Sequence, residues 1–152
     1  MKDDIRFPFK LDDREQAGHG WEEEELEINV IFTTIPGTLA ALRLAGQYAR
    51  DLYARISILA TQVVPYPLPL EHPPVAPEFT TRCFRTLVAD QRIETRIQLY
   101  LCRESRQALL EALRPNSLVV LGGKKRWWPT REQALAKAFC SHGHRVIFVE
   151  HD

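Results

Sequence analysis

Short apolar runs rich in β-branched residues recur along this chain, separated by stretches with helical spacing, and this alternation constrains the fold more than any other feature. Ile28-Asn29-Val30-Ile31-Phe32, the run from Ile56 to Val64, and Ser117-Leu118-Val119-Val120-Leu121 are nearly continuous in apolar character. Strands buried on both faces of a parallel sheet have that pattern. Val146-Ile147-Phe148-Val149 forms a further run near the end of the sequence. Arg96 to Cys102 is different, because Ile97, Leu99 and Leu101 alternate with Arg96, Gln98 and Tyr100. Alternation marks a strand with one exposed face, which places this one at a sheet edge.

Helices are expected between these runs. Pro36-Gly37-Thr38 makes a turn and offers Thr38 as an N-cap. After it, Leu39, Leu42, Ala45, Ala49 and Leu52 fall on one stripe. A short helix follows with Phe79, Cys83, Leu87 and Val88 on one side. Ser105 to Arg114 is helical, with Leu109, Leu110 and Leu113 inward and Pro115-Asn116 as its stop. Thr130 with Gln133 forms a capping box for the last helix, which turns Leu135, Ala138 and Phe139 inward and ends at Gly143. Residues 65–77 hold six of the ten prolines, so this stretch reads as a stiff, extended surface loop. Five strands thus alternate with four helices. Short right-handed connections then give an α/β fold, a doubly wound parallel sheet with helices on both faces.

The 152 residues fit one such domain. No apolar run approaches the roughly 20 residues of a membrane helix, so no membrane insertion is expected. Three widely spaced cysteines, Cys83, Cys102 and Cys140, argue against a disulfide framework and for a cytoplasmic setting. The net charge of zero hides an asymmetry. Residues 1–27 carry four basic and ten acidic side chains, and the remainder carries 16 basic and 10 acidic. Residues 1–25 therefore read as an acidic N-terminal arm without sustained periodicity, and residues 26–152 as the domain. Outside the arm the excess positive charge is modest, so no nucleic-acid partner is expected.

The stretch from Ile28 to Val64, including "LAALRLAGQYARDLYARISIL", resembles the opening of universal stress proteins. "SLVVLGG" resembles their fourth strand with its terminal glycine, and "HRVIFVEHD" their closing strand. The resemblance covers residues 28–152 and implies a five-stranded sheet of order 3-2-1-4-5. It also implies a ligand crevice between the first and fourth strands and a homodimer paired through the last strand, here Val146, Ile147, Phe148 and Val149. The ATP motif of the family is missing. Thr33 stands where ATP-binding members have an aspartate. Their spacing of Gly, two residues, Gly, nine residues, Gly-Ser or Gly-Thr meets Lys125, Leu135 and Ala136 counted from Gly122. Counted from Gly123 it meets Arg126, Ala136 and Lys137. The resemblance thus disfavours conventional ATP binding.

Gly122-Gly123-Lys124-Lys125-Arg126-Trp127-Trp128 is the most unusual segment. Its cations could meet phosphate oxygens and an indole could stack on a ring. The plainer account is solvated cations beside one packed tryptophan. Thr33 and Thr34 could hydrogen-bond a ligand or satisfy loop amides. Cys140-Ser141-His142-Gly143-His144 reads as a helix end and turn, because a second pair of metal ligands is absent from the sequence. No nucleophile elbow or paired catalytic carboxylates stand out. The expectation is a non-catalytic stress-response regulator that acts through protein contacts as a homodimer, with no cofactor and no metal. The alternative is a module that binds a nucleotide or other anionic small molecule through Thr33, Thr34, Gly122, Gly123, Lys124, Lys125, Arg126 and Trp127.

Overall fold

A computed structural model describes residues 3–6, 26–89 and 95–152. The strands are β1 (Asp3–Arg6), β2 (Glu27–Ile31), β3 (Arg55–Val63), β4 (Thr95–Cys102), β5 (Leu118–Lys124) and β6 (Arg145–His151). The helices are α1 (Ile35–Leu52), α2 (Pro77–Val88), α3 (Ser105–Ala112) and α4 (Arg131–Ser141). All strand pairings are parallel, and the sheet order is β1-β4-β3-β2-β5-β6. The five strands expected from the sequence therefore lie in the order 3-2-1-4-5.

Two cores flank the sheet. On one face Leu42, Ala45 and Ala49 of α1 and Phe84 and Val88 of α2 pack on Ile28, Val30, Ile56, Ile58, Ile97, Leu99 and Val120. On the other, Leu109 and Leu113 from the α3 region and Phe139 of α4 cover Ile31, Leu59, Tyr100, Val119 and Leu121. Continuous β-branched runs suit β2, β3 and β5 because each meets a helix on both faces.

The expectation for Arg96–Cys102 needs correction. All eight residues of β4 are buried, including Arg96 at 8% and Gln98 at 4% exposure. Two causes act together. Residues of the acidic arm form β1, which pairs with β4 from Asp3↔Ile97 to Arg6↔Tyr100, so β4 is not an edge strand. Its polar side chains also satisfy one another. With the Gln98 amide oriented to meet donors, its oxygen accepts from Arg96 Nε at 3.2 Å. Its other terminus then lies 3.3 Å from Ser57 Oγ. Buried polar groups persist where such partners are present.

Three local expectations shift as well. The N-cap of α1 is Thr34, whose Oγ1 accepts from the Gly37 N–H at 3.1 Å. Pro36 lies inside the first turn, where a missing N–H costs nothing. Thr38 instead is buried, and its Oγ1 accepts from the Thr33 N–H at 3.2 Å. In α2 the buried positions are Thr81, Phe84 and Val88, while Phe79 and Cys83 face solvent. The proline-rich loop is not extended. Leu68 N–H donates to Pro65 O and His72 N–H to Pro69 O, both at 3.0 Å, which folds it into consecutive tight turns. Arg103 clamps one end by donating to Val64 O (2.8 Å) and Leu68 O (2.7 Å), with its guanidinium 4.0 Å from the Tyr66 ring. At the other end Gln62 donates to Val75 O (2.7 Å) and accepts from Thr80 Oγ1 (3.0 Å).

Candidate ligand cleft at the carboxyl ends of the strands

The strand order reverses between β2 and β5, and open α/β sheets bind ligands beyond the carboxyl ends of strands at such a point. Here that point is filled by the protein itself. Thr33 Oγ1 donates to Gly122 O at 2.6 Å. A Cβ on Gly37 would lie 2.6 Å from Gly122 O, and one on Gly122 would meet the Gly37 backbone. Both glycines are needed for α1 to pack directly on the end of β5. Gly123 is confined too, since a Cβ there would lie 2.6 Å from the Phe148 ring. The sequence motif Gly122-Gly123 thus supports close packing of α1 and Phe148 on the end of β5.

The cleft lies one step outward and measures about 690 Å³. Thr34 and Pro36 at the start of α1 form one wall, and Lys124 at the end of β5 with Arg126 and Trp128 beyond it form a second. Pro129 to Glu132 at the start of α4, with His151 at the end of β6 and Asp152, complete it. The capping box is present: Gln133 N–H donates to Thr130 Oγ1 (3.2 Å) and Thr130 N–H to Gln133 Oε1 (3.1 Å). Arg131 and Glu132 occupy the next two positions, whose N–H groups have no intrahelical acceptor. A helix N-terminus with Lys124, Arg126 and Arg131 nearby favours a small anion, opposed by Glu132 and Asp152. His151 Nδ1 lies 3.0 Å from Asp152 O, while its buried Nε2 has no partner among the described residues.

Of the expected ligand residues, the structure brings Thr34, Lys124 and Arg126 to the cleft. Thr33, Gly122 and Gly123 lie behind it in the packing just described. Lys125 donates its N–H to His151 O at 3.0 Å, and its side chain is exposed outside the cleft. Trp127 is 100% exposed and also outside. Arg131, Glu132 and His151 were not anticipated. The Thr130–Gln133 capping box already fixed Arg131 and Glu132 as the first helical residues. The place of His151 follows from its pairing with Lys124 in register, which a single sequence does not display.

Burial pushes the Cys102 thiol up, which the Ser105 hydrogen bond and nearby Glu104 modify in opposite directions. Burial, aided by nearby His142, holds His144 below the ordinary histidine value. Neither lines the cleft. Among the described residues, no His, Cys, Asp and Glu side chains cluster as a metal site would require. Nor is any described helix long and apolar enough to cross a membrane.

In a comparison with solved structures, the chain aligns with a universal stress protein in complex with cAMP, with a TM-score of 0.56 at 16% identity. The alignment covers 84% of this chain and 98% of that one. The chain has the fold of a universal stress protein. No protein-family model and no curated protein sequence matches it. The likeness therefore lies in architecture, and the ligand of the aligned structure belongs to that protein.

Proposed function

We propose that this chain is a non-catalytic regulatory domain of the universal stress protein type, acting through protein contacts as a homodimer joined along β6. The observation that carries this reading is the open outer edge of β6. Arg145 N–H donates to Ser117 O, and His151 O accepts from the Lys125 N–H. In a parallel ladder a residue's N–H and C=O point to the same side, so odd-numbered residues of β6 face β5. Val146, Phe148 and Glu150 turn their backbone groups outward, where no described strand meets them. These three are spaced evenly about Phe148. An antiparallel copy related by a two-fold axis through Phe148 would pair them all. Val146, Ile147, Phe148 and Val149 are only half-buried in the isolated chain, which leaves apolar surface for the partner.

A Val146→Pro/Glu150→Pro variant removes two outward donors at positions where an edge strand tolerates proline. Light scattering should give a dimeric mass for the unsubstituted chain and a monomeric mass for the variant. A monomeric parent chain, or a variant of unchanged mass, rejects the reading. The free state of Cys83, Cys102 and Cys140 supports a reducing, cytoplasmic setting.

The cleft supports a second reading, a site for a nucleotide or other phosphorylated small molecule. Its cations and the α4 N-terminus are the supporting observation, and the cAMP complex of the aligned fold agrees with it. Calorimetric titration with ATP, ADP, AMP and cyclic nucleotides should give saturable heat that Arg131→Ala weakens. Silence from every nucleotide removes this reading and leaves the first untouched.

A further inference from the structure

The β5–α4 loop carries two exposed side chains, Lys125 and Trp127, that neither reading uses. Trp127 is 100% exposed and Trp128 71%, so two adjacent indoles stand in water beside a run of cations. Both ends of the loop are tied. Lys125 is held through its N–H on His151 O at 3.0 Å, and Thr130 is fixed by the capping box. Between those anchors lie only Arg126, Trp127, Trp128 and Pro129. Lys124, Lys125 and Arg126 precede the indoles and Arg131 follows, and all four side chains are exposed.

We propose that this tip, Lys125 to Trp128, docks the domain peripherally on a membrane surface that presents anionic lipid headgroups. Indoles partition to the headgroup level of a bilayer, where the ring is shielded and the N–H stays hydrated. Lysine and arginine beside them are drawn to anionic lipid and can keep their charged ends at the surface. The complementarity is therefore double: apolar rings at the apex and cations around its base. Single-stranded nucleic acid fits less well. It needs a cationic groove that follows several phosphates with aromatic platforms along it. Here the two indoles are adjacent on one short loop rather than spread along a groove, and Glu132 and Asp152 interrupt the cations of the adjoining cleft. Because exposed lysine and arginine meet the headgroups in water, the contact depends on ionic strength.

The test uses the full chain with vesicles of phosphatidylcholine alone and of phosphatidylcholine mixed with phosphatidylserine. Co-sedimentation should be confined to the mixed vesicles and should fall about tenfold or more at high salt. Tryptophan emission should shift to the blue on binding. A Lys125→Glu/Trp127→Ser variant changes two exposed side chains, so its melting curve should match that of the parent chain. Its partition should drop at least about tenfold, in line with a lost interfacial anchor and a reversed charge. Trp21 also emits, so the blue shift is read as the difference between parent and variant. No partition, equal partition onto both vesicle types, or partition unchanged in the variant would overturn the proposal. So would binding to a single-stranded oligonucleotide in the absence of vesicle binding. Neither Lys125 nor Trp127 lines the cleft, so nucleotide titration of the same variant separates failure here from failure of the ligand reading.

Discussion

The two outer regions of the sheet reverse what their sequences advertise. β4 alternates polar and apolar residues, yet it is buried on both faces and paired on both sides. β6 is continuously apolar from Val146 to Val149, yet these residues are half-buried, and among the described residues it is paired on one side only. The difference shows that a strand's pattern reports its side-chain chemistry, while its burial is decided by neighbours. Around β4, β1 supplies the missing hydrogen bonds, and Arg96, Gln98 and Ser57 satisfy one another. Around β6 nothing described does the equivalent, which is why its surplus apolar surface supports an intermolecular role.

Placing the same substitution on both strands sharpens this contrast most. Leu99→Pro in β4 removes a ladder hydrogen bond and a fully buried side chain from the middle of the sheet. Its cost should exceed about 3 kcal/mol, enough to leave no cooperative melting transition. Glu150→Pro in β6 acts on an exposed residue whose N–H points away from β5. Its intrinsic cost should be about 1 kcal/mol or less once melting is followed at several protein concentrations. Comparable losses at the two sites would mean that the outer edge of β6 is as enclosed as that of β4.

A smaller perturbation converts one kind of edge into the other. Deleting residues 1–6 removes β1 and leaves β4 with unpaired backbone groups along its outer side. The loss of the hydrogen bonds along its four register pairs should cost roughly 2–6 kcal/mol, since each contributes about 0.5–1.5 kcal/mol net. Thermal melting measures that loss. The truncated chain should also self-associate through the exposed strand, as size-exclusion chromatography would reveal. A truncated chain with unchanged melting and mass would mean that β1 does not protect this edge.

Much of the architecture was legible because it depends on short-range patterns. The runs in β2, β3 and β5 and the Thr130–Gln133 capping box can each be read within a dozen residues. What the sequence concealed depends on partners far along the chain. β1 pairs with residues more than ninety positions away, from Asp3↔Ile97 onward. The stripe of α2 was misplaced because Phe79 and Cys83 have apolar character but face solvent, while Thr81 takes the inward position. In the site, Gly122 was expected among the ligand contacts, whereas its proximity to Gly37 makes it a packing residue. Lys124 and Arg126 were found from composition. Their neighbours Arg131 and His151 are brought there by α4 and β6.

The smallest expected effect concerns the root of the open edge. His144 precedes β6, and its Nδ1 accepts the Ser117 N–H at 3.2 Å, so this nitrogen must be unprotonated for the bond to exist. The ring also meets Phe139 edge-on, with centroids 6.2 Å apart. Burial, and to a lesser extent His142, lowers its pKa in the folded chain. The unfolded chain therefore binds the proton more readily, and stability from this contact is complete above the ordinary histidine value of about 6.5 and declines as pH falls below it. Melting midpoints taken between about pH 8 and pH 5 should decrease for the parent chain. His144→Gln keeps an acceptor able to face Ser117 but has no proton to gain, so its decrease should be shallower. Equal slopes would show that His144 does not make the root of β6 sensitive to acid, and that the contrast between the two edges is independent of pH.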